Sequence, residues 1–96
     1  MGGEITEAHR ASLEIRNRLG LHARAAKLFV DTANGFDAEV TVAKDDQVVN
    51  GRSIMGVMML AAEQGSHIDV TTQGPQAAEA LQALRELVEA RFHESE

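Results

Sequence analysis

The chain has 96 residues, 44% of them apolar, which suits one domain with one core and excludes wholesale disorder. It has no cysteine, so disulfides and thiolate metal sites are excluded, and with three Phe and no Trp or Tyr the core must be built from Leu, Ile, Val, Ala and Met. A net charge of −6 argues against a general nucleic-acid binder, and no apolar run approaches the roughly 18 residues a membrane span requires.

The segment Met1 to Ser12 is polar and lacks the apolar stretch of a signal peptide, so a cytoplasmic protein is expected. Residues 1–11 read as an N-terminal tail and 12–96 as the single domain. Charge is unevenly placed. Arg10, Arg16, Arg18, Arg24 and Lys27 cluster early with only Glu14 against them, whereas Glu79, Glu86, Glu89, Glu94 and Glu96 follow Pro75. The early region could meet an anion or an acidic partner.

Leu13 and Ile15 alternate with polar neighbours as a half-buried strand does. Asn17 to Gly20 is turn-like, with Gly20 free to take a positive φ. From Ala25 the apolar positions Ala25, Leu28, Phe29 and Ala33, with Thr32, follow the period of an amphipathic helix, closed at Asn34-Gly35 in the manner of a left-handed cap. Ala38, Val40 and Val42 form a second alternating run. Lys44-Asp45-Asp46 is a turn, and Gln47 to Asn50 returns as the other arm of a hairpin. Ser53 then stands before Ile54-Met55-Gly56-Val57-Met58-Met59-Leu60 as an N-cap stands before a short helix. Ile68 and Val70 mark a fourth strand. Gly74-Pro75 opens a last helix whose apolar face runs from Ala77 through Leu84 and Val88 to Phe92, with Pro75 at the first position. The order is β-α-β-β-α-β-α, an α+β fold of two layers with three helices on one face of a four-stranded sheet.

His22 stands between a flexible turn and a helix start. An imidazole there lies beside the unpaired N–H groups of the first helical turn, where the helix dipole also favours an anion. Arg24 adds a guanidinium suited to phosphate oxygens. A nucleophile beside such a cradle suits phosphoryl transfer, which depends on positioning and charge stabilisation. The alternative is an exposed histidine acting as an approximate cap. His9, His67 and His93 show no spacing that suggests a metal site, and no metal or cofactor is expected.

Gly20-Leu21-His22-Ala23-Arg24 resembles the active-site segment of the HPr family, the histidine-containing phosphocarriers of the bacterial phosphotransferase system. Arg52-Ser53-Ile54-Met55-Gly56-Val57-Met58 resembles that family's regulatory-serine region, and the separation of the two segments fits without gaps. The resemblance covers roughly residues 12 to 92 and implies an HPr-like open-faced β-sandwich with an antiparallel sheet. It implies that His22 carries the phosphoryl group on Nδ1, that Arg24 supports it, and that the backbone N–H of Ala23 helps hold it. It implies that Ser53 is a phosphorylation site for an HPr kinase/phosphorylase, and that Ile54, Met55 and Met58, flanked by Lys27 and Arg52, dock on partners. Those partners are Enzyme I as donor and an Enzyme IIA domain as acceptor, met by a monomer that is a relay and not an enzyme. Gly35 to Val40 and Gly74-Pro75-Gln76 look more like the nitrogen-related branch of the family than the sugar branch. Family members usually have proline where this chain has Ala25; alanine adopts the same φ with more freedom in the unfolded chain. A rival reading is an HPr-like binding module that docks on effectors without relaying phosphate.

Overall fold

Backbone pairing begins earlier in the chain than the apolar alternation does. The computed structural model describes residues 8–96, so residues 1–7 of the expected tail lie outside the described residues. Strand β1 spans His9–Glu14 and pairs antiparallel with β4, His67–Gln73, starting at His9 opposite Thr72. The expected tail boundary at residue 11 is therefore corrected for positions 9 to 11. Ladder hydrogen bonds come from the backbone and need no apolar side chain, and His9 and Arg10 are exposed.

Strand β2, Glu39–Lys44, pairs antiparallel with both β4 and β3, Gln47–Asn50, so the sheet order is β1-β4-β2-β3. The β2–β3 hairpin turns through Asp45-Asp46, with Asp45 at φ 53. Two-residue hairpin loops favour such left-handed positions, and aspartate tolerates them. Alternate residues of the central strands point to the covered face: Val40, Val42, Ile68, Val70 and Thr72 are buried, while Glu39 and Thr41 are exposed.

Helices α1, Ala23–Ala33, and α3, Ala77–Glu89, supply the other half of the core with Ala25, Ala26, Phe29, Val30, Ala80, Leu84 and Val88. The short helix α2, Ile54–Met59, adds Val57. The expected four-stranded antiparallel sheet with three helices, in the order β-α-β-β-α-β-α, is the fold observed.

Three local expectations are corrected. Helix α1 closes without a left-handed residue. Asn34 is right-handed, and turn bonds from Gly35 N–H to Thr32 and from Phe36 N–H to Ala33 finish it. Helix α3 starts at Ala77, not at Pro75. Gly74, at φ 130, turns the chain, and Gln76 N–H bonds Asp37 while its side chain accepts from Asp37 N–H. That exchange uses the amide a first helical turn would leave unpaired. At its other end α3 stops at Glu89. Phe92 is fully buried, but in a 3-10 turn, Arg91–His93, whose three residues have φ of 56, 53 and 61.

Candidate functional site

The turn ahead of α1 is built from one glycine and one buried asparagine. Gly20 takes φ +67, and a Cβ there would meet the Ala62 carbonyl oxygen at 2.4 Å, so glycine is required on two counts. Leu21 N–H bonds that same carbonyl at 2.9 Å. Asn17 is fully buried and donates from Nδ2 to the Gly20 carbonyl at 2.8 Å. These contacts set His22 at the N-cap of α1 with extended backbone (φ −73, ψ −180). The first helical hydrogen bond runs from Ala26 N–H to the His22 carbonyl at 2.8 Å. As at any helix start, the amides of Ala23, Arg24 and Ala25 have no carbonyl behind them within the helix. Ala25, at the position where proline is usual in the resembled family, is fully buried in this first turn.

His22 keeps 29% of its side chain exposed, at one wall of a cleft of about 440 Å³ that Arg18, Arg24, His93, Glu94 and Glu96 also line. Sequence reasoning surrounds His22 with positive groups only, and the structure corrects this. The Glu94 carboxylate lies 2.6 Å from His22 Nε2. Its other oxygen accepts from Asn17 Nδ2 at 3.1 Å. Arg24 reaches the His22-bound oxygen at 3.3 Å and donates to the Phe92 carbonyl at 3.0 Å. Arg18 N–H bonds the Glu96 carbonyl at 2.8 Å, and its guanidinium lies 3.4 Å from the Glu96 carboxylate. Residues 91–96 thus form a strap that returns over the start of α1. Among the described residues, nothing bonds His22 Nδ1.

Burial acts to raise the Glu94 pKa. Hydrogen bonds from His22 and Asn17, and the charges of His22 and Arg24, outweigh it and hold the carboxyl below its ordinary value. A carboxyl depressed in the folded state contributes stability above its unfolded pKa and loses it as pH falls through the folded value. Glu94→Gln should therefore melt about 5 °C below the wild type at pH 7, with the gap closing on acidification below the usual carboxylate range. Melting curves of both proteins between pH 7 and pH 3 check this; a gap independent of pH would mean the carboxylate is not the group responsible.

Ser53 is the N-cap of α2, and its Oγ accepts from Gly56 N–H at 3.1 Å, as expected. Beyond it Ile54, Met55, Met58 and Met59 are exposed, Met55 at 70%, so this apolar surface is open. The basic residues around it differ. Lys27 is exposed and pairs with Asp31 at 2.6 Å. Arg52 is exposed too, but its guanidinium is engaged: its Nε donates to Asn34 Oδ1 at 2.7 Å and Nη1 to the Ala38 carbonyl at 3.1 Å. It ties Asn34, at the end of α1, to Ala38, just ahead of β2. Asn17, Leu19 and Glu94 are site residues the sequence patterns missed. Leu19, 62% exposed beside His22 in the cleft wall, is an apolar residue in a polar turn, and that was the available signal.

A family model described as the PTS HPr component phosphorylation site matches residues 9–90. Phosphocarrier protein HPr of Neisseria meningitidis serogroup A is 52% identical over 87 residues, covering 91% of this chain and 98% of that one. The crystal structure of HPr from Thermoanaerobacter tengcongensis superposes with a TM-score of 0.88 at 42% identity, over 92% of this chain and 99% of that chain. A crystal structure of an HPr dimer from the same organism gives a TM-score of 0.73 at 45% identity, over 85% and 94%. Among the described residues, no helix is long and apolar enough to cross a membrane.

Proposed function

Since the chain belongs to the HPr family of phosphocarrier proteins, we propose that it relays a phosphoryl group on His22 Nδ1, from Enzyme I to an Enzyme IIA domain, as a cytoplasmic monomer. The carrying observation is the placement of His22: an N-cap imidazole whose Nδ1 has no partner among the described residues, beside Arg24 and the unbonded first-turn amides. In this reading the Nδ1 lone pair attacks phosphorus. The Ala23 N–H and the Arg24 guanidinium take the phosphoryl oxygens, and the α1 dipole favours the added charge. No enzyme turnover is involved; the protein is substrate to each partner in turn. Incubation with Enzyme I, phosphoenolpyruvate and Mg²⁺, followed by intact mass, tests it. A gain of one phosphoryl group supports the relay, and no gain with an Enzyme I active on another carrier overturns it. Onward transfer to Enzyme IIA domains of the sugar and nitrogen branches, side by side, identifies the acceptor.

Partners dock, in this reading, on Ile54, Met55 and Met58, with Arg24, Lys27 and Arg52 nearby. Ser53 adds control as the site of an HPr kinase/phosphorylase. Ser53→Asp should keep or slightly raise thermal stability, because aspartate caps as well as serine and suits the helix dipole by about 0.3–1 kcal/mol. The same charge lies against an apolar contact and faces acidic partner groups, and should weaken Enzyme I binding about 5- to 150-fold. A melting curve and transfer kinetics measured together separate the two effects; unchanged transfer would leave Ser53 as a cap alone.

A further inference from the structure

We infer that Glu94 is a positioning residue for phosphoryl transfer, holding the Nε2 proton of His22 so that Nδ1 is the nucleophile and offsetting the charge the ring gains as the Nδ1–P bond forms. The inference rests on His22 being the acceptor. An ionised carboxylate only accepts hydrogen bonds, so at 2.6 Å from Nε2 it places the proton on that nitrogen. The neutral ring then carries its lone pair on Nδ1. The logic is that of a carboxylate behind a reactive histidine, which orients the ring through the nitrogen that does not react.

Two further features make this contact a built one. The carboxylate is held at both oxygens, by buried Asn17 at 3.1 Å on one and by Arg24 at 3.3 Å on the other, and only 15% of the side chain is exposed. The backbone also departs from ordinary geometry to deliver it. Arg91, Phe92 and His93 are all left-handed, a conformation non-glycine residues adopt only when the surroundings over-determine it. Burial of Phe92 and the bond from Arg24 to its carbonyl do so here.

In the transfer step the Nδ1 lone pair forms the bond to phosphorus. The donor's bond to phosphorus breaks, and that electron pair leaves with the donor group. The Nε2 proton stays in the hydrogen bond to Glu94 throughout. Onward transfer reverses this, with the Nδ1–P electron pair returning to Nδ1.

The test compares single-turnover transfer into wild type, Glu94→Gln and Glu94→Ala, with the imidazole nitrogens of His22 followed by 15N spectra. Glu94→Ala should slow transfer at saturating donor about ten-fold while leaving the half-saturating donor concentration unchanged. Glu94→Gln, which still accepts at Nε2 without the charge, should fall between. The Nε2–H signal should be protected from exchange in wild type and Glu94→Gln and lost in Glu94→Ala. Transfer at the wild-type rate in Glu94→Ala overturns the inference. So does faster transfer, which would mean that the carboxylate withholds Arg24 from phosphate. A wild type that takes no phosphoryl group on His22 overturns the acceptor assignment itself, and the two failures are told apart in the one assay.

Discussion

His22→Ala should take up no phosphoryl group from Enzyme I, while His93→Ala should take up one as the wild type does. The contrast matters because both histidines line the same cleft. His22 stands at the N-cap of an 11-residue helix, with Arg24 two positions on and unbonded amides behind it. His93 sits in a 3-10 turn with left-handed backbone, exposed, and has no helix amide to hold an anion beside it. His9 and His67 are exposed on the paired strands β1 and β4. Loss of the nucleophile removes the whole transfer step, a fall of at least about 10³-fold rather than a graded one. The fold should survive, since the cap is made through the His22 carbonyl, which alanine retains. Intact mass after incubation reads the result, and the label on wild type should be acid-labile and base-stable, as a phosphohistidine is. A His22→Ala protein that still gained one phosphoryl group, or a His93→Ala protein that lost the ability, would sink the assignment.

What could be read from the sequence was local. The Gly20 turn, the helix from Ala23 and the Ser53 cap each rest on residues within four positions of one another. Their signals, a glycine needed for positive φ and an oxygen that caps an amide, do not depend on the rest of the chain. The parts that escaped are non-local. Glu94 lies 72 residues from His22 and 77 from Asn17, and no periodicity connects them. Phe92 follows Val88 at helical spacing, so the apolar pattern extends the helix over it. Past Glu89 the chain turns left-handed at Arg91 to His93, and the Phe92 carbonyl is taken by Arg24, 68 residues away. Pro75 misled in the same way: proline is at home at a first helical position, but the loop there is organised by Asp37 across from Gln76. Arg52 reads as a free surface charge because nothing in its own segment shows that its guanidinium is engaged. Its partners Asn34 and Ala38 belong to the previous crossover.

Phe92 is the strap's one side chain in the core, and Phe92→Ala should therefore damage stability and transfer together. Phe92 is fully buried within the main core, and removing such a ring ordinarily destabilises a domain by about 3–5 kcal/mol. Part of that loss is offset. Without the ring, Phe92 itself is no longer held left-handed, and its relaxation returns about 1 kcal/mol. The net loss should sit near the lower end of the range, a fall of about 10 °C or more in melting temperature. The same relaxation takes Glu94 away from His22 and frees Arg24 from the Phe92 carbonyl. Transfer should then slow about as much as in Glu94→Ala, even at temperatures where the variant is folded. Leu84→Ala is the control, since Leu84 is equally buried but lies on α3 and not on the strap. It should lose comparable stability and relay phosphate at the wild-type rate. Phe92→Leu, which refills part of the cavity, should recover both properties in step. Equal transfer rates for Phe92→Ala and Leu84→Ala, measured at 10 °C or at any temperature where both are folded, would show that the buried ring holds the core alone and that the strap does not depend on it.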